Sequence, residues 1–315
     1  MDGSERPMWR RWVYAAKPAS WPKLLVPSLL GQGLGVAATG RLDVAALFLG
    51  LLFSVFDLLF IVFLNDWGDR DVDQIKRRLF PDGCSPKTIP DGILPAHHLL
   101  FAGLLAGGMA CTTAILGAAL LPRPGLGWGA AVCLGIFVTY TLPPVRLNYR
   151  GGGEVLEMVG VGIALPLLHA FLQAGRLDDP RLLQVLPGFA LLSLASAIAS
   201  GLSDEVSDRE GGKRTFVTLL GNRFGRGGCE IAAGMGIVAW MVAAALAPVP
   251  TGWPLMVGAA LAAYHLRDVR RTSDEAVTNA FRAQSRYKLH LHRAIWRGGA
   301  SIAGAAVLDA LLCSP

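Results

Sequence analysis

The chain has 315 residues, 53% of them hydrophobic and only 17% charged, with a mean hydropathy of +0.46 and a formal net charge of +6. So apolar a chain with so few charges excludes an ordinary water-soluble globule. Its surplus of Lys and Arg is not interleaved with stacking aromatics, which argues against nucleic acid as a partner.

A membrane-spanning helix needs about 20 mostly apolar residues. Nine segments meet or approach that length: roughly 22–39, 44–64, 98–121, 127–143, 155–174, 183–202, 229–247, 251–266 and 297–313. The Arg-rich N-terminus leads into a long span with no small-residue cleavage site, so no cleavable signal peptide is expected. Placing the N-terminus inside puts 24 Lys and Arg on the inner side and 4 (Arg41, Arg123, Arg176, Arg181) on the outer side. That segregation follows the positive-inside rule and predicts an all-α integral membrane protein with a cytoplasmic N-terminus and an odd number of spans. The whole chain, 1–315, reads as a single polytopic domain. The net positive charge is a topology signal and favours contact with anionic lipid.

The connections on the outer side are short, and the long polar ones, 65–97, 144–154, 203–228 and 267–296, are all inside. Function is therefore expected at the cytoplasmic face. Two acidic runs stand there. Asn65-Asp66-Trp67-Gly68-Asp69-Arg70-Asp71-Val72-Asp73 follows the second span, and Asp204-Glu205-Val206-Ser207-Asp208 follows the sixth. A basic cluster trails each run, Lys76-Arg77-Arg78 and Lys213-Arg214. The repeated layout predicts two related half-bundles converging on one site. Between them, the Pro- and Gly-rich stretch 81–95 is not a regular helix. The polar, Arg-rich segment 267–296 is expected to form an amphipathic helix at the membrane surface.

Carboxylates beside hydrocarbon are costly unless a cation compensates them. If 65–73 continues the second span as helix, Asn65, Asp66, Asp69 and Asp73 share an arc of about 100° and Asp71 lies on the far side. Asp204 and Asp208 share a face at i,i+4, while Glu205 and Glu210 diverge. Like charges at that spacing repel. Magnesium resolves the conflict, since it takes oxygen ligands from one or two carboxylates and from substrate phosphates. Lys87, Arg146, Arg150, Lys213 and Arg214 are candidates to neutralise the remaining phosphate charge.

These residues resemble the UbiA superfamily of intramembrane prenyltransferases. Asn65-Asp66-x-x-Asp69-x-x-x-Asp73 matches that family's NDxxDxxxD, and Asp204-x-x-x-Asp208 matches its DxxxD. Tyr140-Thr-Leu-Pro-Pro-Val-Arg146 is similar to its Tyr-x-x-Pro-Pro-x-Lys segment, with Arg in place of the commoner Lys. Gly151-Gly152-Gly153-Glu154 resembles the Gly-x-Gly-Glu that opens its fifth span. Gly212-Lys213-Arg214-Thr215 looks like the tail of the second motif in the quinone branches, and Pro18, Trp21 and Pro27 suit the first span. Pro86-Lys87-Thr88-Ile89-Pro90-Asp91-Gly92 stands in for an Arg-Pro-Ile-x-x-Gly element, displaced by an insertion around 76–83.

The resemblance implies a nine-helix bundle around a central cavity that opens laterally to the bilayer. Mg2+ held by Asn65, Asp66, Asp69, Asp73, Asp204 and Asp208 would bind a prenyl diphosphate, with Lys87, Arg146, Arg150 and Lys213 on its phosphates. Loss of diphosphate would leave an allylic cation for an aromatic, quinone-precursor acceptor. Tyr140 would stabilise that cation or assist deprotonation of the acceptor. A bacterial inner membrane is the expected setting. A terpene cyclase of the same fold, an enzyme with a lipid-alcohol or tetrapyrrole acceptor, and a membrane cation transporter are the competing readings. A transporter would carry its acidic residues at mid-membrane, where only Asp57 stands.

Several residues have two readings. Asp57, inside the second span, either contacts the acceptor or makes an internal hydrogen bond. His169 either reaches the cavity or is a hydrogen-bonded structural residue. His97 and His98 are expected as interfacial polar residues. Glu154 either orients Arg146 or Arg150 or simply favours a helix N-terminus. The interfacial Trp12, Trp21 and Trp67 are membrane anchors, and glycines within the spans mark close helix packing. Cys84, Cys111, Cys133, Cys229 and Cys313 have no metal or redox spacing and are expected as small apolar residues.

Overall fold

The computed structural model describes residues 6–83 and 85–312, without the side chains of 249–251 and 311. Cys84 and Cys313 lie outside the described residues. All regular structure among the described residues is helical. Helix α1 (Met8–Ala16) is short and leaves Met8, Trp9 and Val13 exposed. Helix α2 (Pro22–Thr39) starts on a proline, whose missing N–H costs nothing there, and ends at Gly40 in the left-handed conformation. Asp43 caps α3 (Val44–Gly68), its carboxylate accepting from the Ala46 N–H at 3.0 Å. The polar α4 (Arg70–Leu79) follows, and the described residues of the 81–95 stretch are irregular, as expected from its prolines.

Helices α5 (Ala96–Leu120), α6 (Leu126–Thr141) and the single turn α7 (Leu147–Arg150) come next. Helices α8 (Gly153–Val159) and α9 (Leu165–Ala174) are joined by a π turn at Gly160–Ala164 into one continuous rod. Asp179 caps α10 (Pro180–Leu202), and α11 (Glu205–Glu210) and α12 (Phe216–Leu220) are short. The chain finishes with α13 (Asn222–Leu246), α14 (Val249–Ser273) and α15 (Phe281–Leu312).

Five helical stretches, Val44–Gly68, Ala96–Leu120, Gly153–Ala174, Pro180–Leu202 and Asn222–Leu246, are long and apolar enough to cross a membrane. Leu126–Thr141 is apolar but shorter. Helices α2, α14 and α15 cover the remaining expected spans. The polar segment 267–296 is not the separate surface helix expected. Helix α14 runs on to Ser273 and α15 begins at Phe281, so the arginines extend two long helices beyond their apolar parts.

The long helices close into a ring. In order around it, α2 packs on α3, α3 on α5, α5 on α6, α6 on α8, α8 on α10, α10 on α13, α13 on α14, α14 on α15, and α15 on α2. Two large apolar cores result, beside a smaller cluster of Ala15, Phe63, Ile93, Leu94 and Leu99. One joins α2, α10, α13, α14 and α15 around Phe189, Leu192, Trp240, Tyr287 and Leu291. The other joins α3, α5, α6 and α9 around Phe53, Phe60, Phe137 and Leu168.

Small residues set the close approaches, as expected for helices packed without a hydrophobic drive between them. A Cβ at Gly31 would stand 2.2 Å from the Pro166 carbonyl oxygen, and one at Gly188 would stand 2.4 Å from the Trp240 ring. His169 belongs to a buried structural network. Its Nδ1 is 3.2 Å from the Gln32 amide, its Nε2 is 3.1 Å from Ser54 Oγ, and Ser54 bonds Ser28 at 2.8 Å.

Candidate active site

A cavity of about 360 Å³ lies between the two halves of the ring. Both acidic runs reach its mouth. Helix α3 delivers Asn65 and Asp66. It then stops at Gly68, and Asp69 (φ −96°, ψ 5°) forms a corner before α4 restarts at Arg70. The run is therefore bent, where an unbroken helix is expected. Asn65, Asp66 and Asp69 line the cavity, whereas Asp73, one turn into α4, stands behind the wall. Asp71 points outward beside Arg70 at 3.8 Å, as the helical wheel predicts. From the other half, Asp204 precedes α11 and Asp208 lies within it, and both line the cavity. Glu205 turns away to Arg209 and Thr278, and Glu210 to Arg78. Helices α4 and α11 pack on one another, which holds the two runs together.

Lysines interleave the carboxylates. Lys17 pairs with Asp66, Lys76 with Asp204 and Lys87 with Asp73. Lys213 bridges the halves, 2.7 Å from Asp69 and 3.9 Å from Asp208. The Thr88 hydroxyl donates to Asp66 Oδ2 at 2.6 Å. Taking an ion out of water costs several kcal/mol, so each buried carboxylate here needs such a partner. Burial pushes the Asp208 carboxyl up to about 7, with Asp204 and Asp69 adding to the shift and Lys213 opposing it. Burial also opposes charge on Lys213 and on Asp204. Asp69 and Asp208 nevertheless hold Lys213 well above the ordinary lysine value, and Lys76 and Lys87 hold Asp204 below the ordinary carboxylate value.

The other predicted residues divide. Lys213 and Tyr140 line the cavity. Lys87 is held against Asp73 behind the wall. The Arg146 guanidinium donates to the Gly68 carbonyl and lies 3.5 Å from the centre of the Tyr149 ring, so it braces the α3 corner. Arg150 and Arg214 are exposed. Glu154 orients neither Arg146 nor Arg150, because it accepts from the Phe216 N–H at 2.6 Å and so caps α12.

Sequence reasoning placed Lys76 only within a basic cluster and did not single out Lys17, Lys23, Asn148 or Glu157. Lys23 pairs with Glu157 at 2.7 Å, and both line the cavity. Asn148 lines it with both amide atoms buried and without partners. Its place between two motif segments, Pro143-Pro144 and Gly151–Glu154, was the available signal.

Away from the mouth the wall is apolar, with Leu24, Leu58, Ile61, Ile136, Phe137, Val161 and Leu165. Phe137 and Tyr140 stack with ring centres 6.1 Å apart. A charged, oxygen-rich mouth above an apolar interior matches a ligand with an anionic head and a hydrocarbon tail. Among the described residues no three carboxylates converge tightly enough to form a ready metal centre, since lysines stand between them. The donor set is nevertheless of the hard oxygen kind that magnesium prefers, and Asp69 Oδ1 is buried with no hydrogen-bond partner.

The comparisons with known proteins agree with this geometry. The model of the UbiA prenyltransferase family matches residues 24–291. The 1,4-dihydroxy-2-naphthoate octaprenyltransferase of Bacillus subtilis is 25% identical over 251 residues, covering 76% of this chain and 75% of that protein. The lycopene elongase/hydratase of Haloferax volcanii is 30% identical over 267 residues, covering 81% and 77%. A UbiA homolog from Archaeoglobus fulgidus, solved bound to DMAPP and Mg2+, superposes with a TM-score of 0.67 at 15% identity over 93% of this chain and 99% of that one. With its paired acidic motifs gathered on one cavity of a helical ring, this chain belongs to the UbiA prenyltransferase family, and is an integral membrane prenyltransferase.

Proposed function

We propose that the protein transfers a prenyl group from a prenyl diphosphate to an aromatic, quinone-precursor acceptor in a Mg2+-dependent reaction at the cytoplasmic membrane face. One observation carries this reading: carboxylates from two halves of the chain meet at a lysine-rich mouth above an apolar cavity. The nine apolar segments are read as nine spans with the N-terminus inside.

Asn65, Asp66, Asp69, Asp204 and Asp208 would hold the metal, with Asp73 supporting them through Lys87. Bound magnesium would neutralise the charge that grows on the departing diphosphate. Lys17 and Lys213 line the cavity and are paired with carboxylates. They stand ready to exchange those partners for phosphate oxygens in a site that excludes bulk water. Arg146 fixes the corner that positions Asp69. Phe137 and Tyr140 offer their π faces to an allylic cation sheltered from water.

The naphthoate-using relative and the Gly212–Thr215 tail favour an aromatic acceptor, while the 30% identity to the lycopene elongase/hydratase favours a polyene. Purified protein given geranylgeranyl diphosphate and magnesium, with 1,4-dihydroxy-2-naphthoate or lycopene, separates the two by product mass. Prenylated naphthoate is the expected product. Prenylated lycopene alone would replace the aromatic reading, and a cyclic hydrocarbon or alcohol formed without any acceptor would make the protein a cyclase.

A further inference from the structure

Asp57 sits in the apolar body of α3, 3% exposed, and lines the cavity. Its Oδ1 is buried and makes no hydrogen bond, and no ion pair or hydrogen bond reaches this carboxyl from the described residues. The internal-hydrogen-bond reading of Asp57 thus lacks a partner. Its companions on the cavity wall include Leu58, Ile61, Cys133 and Phe137, none of which offers a strong donor. A buried polar group without a partner destabilises the fold that holds it. Like Asp69 Oδ1 and the Asn148 amide, which also line the cavity without partners, such an atom is accounted for when a ligand completes it.

The prenyl diphosphate cannot be that ligand. Its tail is hydrocarbon, and its head carries oxygens that accept hydrogen bonds. Asn65, at the mouth, is eight residues on from Asp57, or about 12 Å along the helix axis. A hydroxyl on the other substrate has the donor this oxygen lacks. We propose that Asp57 is the acceptor-recognition residue, accepting a hydrogen bond from a hydroxyl of the prenyl acceptor, so that the site selects hydroxylated acceptors over hydrocarbons. This rests on the prenyl-transfer reading and narrows its substrate class. No covalent bond forms or breaks at Asp57.

The test is equilibrium binding to the full-length protein in detergent, with magnesium and geranylgeranyl diphosphate varied independently. The probes are 1,4-dihydroxy-2-naphthoate and its 1,4-dimethoxy analogue, which lacks the phenolic donors. Wild type is expected to prefer the dihydroxy compound by about tenfold, the size of one hydrogen bond to a carboxyl group. Asp57→Leu should abolish that preference, Asp57→Asn, which keeps one acceptor oxygen, should retain part of it, and both should bind geranylgeranyl diphosphate as wild type does.

Equal binding of the two probes by wild type would overturn the proposal, as would an unchanged preference in Asp57→Leu. Loss of prenyl diphosphate affinity in both variants, together with a lowered Tm, would overturn it in favour of a structural role. Because binding is read without turnover, a wild type that prefers the dihydroxy probe yet prenylates neither naphthoate nor lycopene would sink the aromatic-transfer reading and leave this inference standing.

Discussion

Lys213 lies between Asp69 and Asp208 and is, among the described residues, the one lysine whose ion pairs join carboxylates from both halves. Removing it leaves two buried carboxylates facing each other and takes a cation from the phosphate region. Lys213→Ala should lower kcat/KM for the prenyl diphosphate by about 10- to 100-fold, the worth of one charged hydrogen bond, and should lower the Tm of the magnesium-free protein. Wild-type kinetics in that variant would remove Lys213 from the site.

Asp208 gives a pH signature. Its carboxyl is raised from an ordinary 3.8 to about 7 by burial. Between those values the folded protein holds a proton that the unfolded chain has released, so this group's contribution to stability falls as pH rises through the window. Asp208→Asn should flatten that part of a magnesium-free Tm-against-pH curve, and a slope unchanged from wild type would contradict the assignment.

The carboxylates were legible in the sequence because their spacing is local, and Lys87 and Lys213 were legible as cations beside them, whereas the pairing of each lysine was not. Lys17 and Asp66 are 49 residues apart and Lys76 and Asp204 are 128 apart, separations that no periodicity encodes. Arg146 and Glu154 were legible as motif members but not in their roles. Each meets a backbone group, Gly68 O and Phe216 N, that only the folded chain brings near.

At the scale of elements, the π turn, the corner at Asp69 and the close helix contacts position these residues. Gly188 of α10 faces Gly236 of α13, and a Cβ at Gly188 would stand 2.7 Å from the Gly236 carbonyl oxygen as well as against Trp240. Gly188→Ala should therefore destabilise the bundle by about 1–3 kcal/mol, the ordinary cost of overpacking, seen as a lower Tm in detergent. An unchanged Tm would mean that α10 and α13 can separate without penalty.

Helix positions followed from apolar run length alone, and most boundaries lie within a few residues of expectation. The corner at Asp69 did not follow, because Asp-x-x-x-Asp is as compatible with a straight helix as with a bent one. The 267–296 segment misled for a physical reason. Helices α14 and α15 continue past their apolar parts, and a charged helical extension has the same composition as a surface helix.

On the scale of the whole molecule, two half-bundles, each with its own apolar core, meet at the cavity and carry the two acidic runs to it. The repeated order of span, carboxylates and basic cluster announced that convergence. The ring closure between α2 and α15 had no local signal. The charge segregation makes a further prediction: a phosphatase that is active only outside the cytoplasm should work when fused at the C-terminus and not at the N-terminus. The reverse pattern would invert the topology and move the acidic mouth to the outer face.

The central claim is that both acidic runs act together, through magnesium, on one prenyl diphosphate. It is tested most directly by diphosphate release from geranylgeranyl diphosphate with 1,4-dihydroxy-2-naphthoate, comparing wild type with Asp66→Ala and Asp208→Ala, with magnesium and with EDTA. The account predicts release only by wild type with magnesium, and loss in either variant alone although the two residues come from opposite halves of the chain. Release that persists in EDTA, or in either aspartate variant, would contradict it.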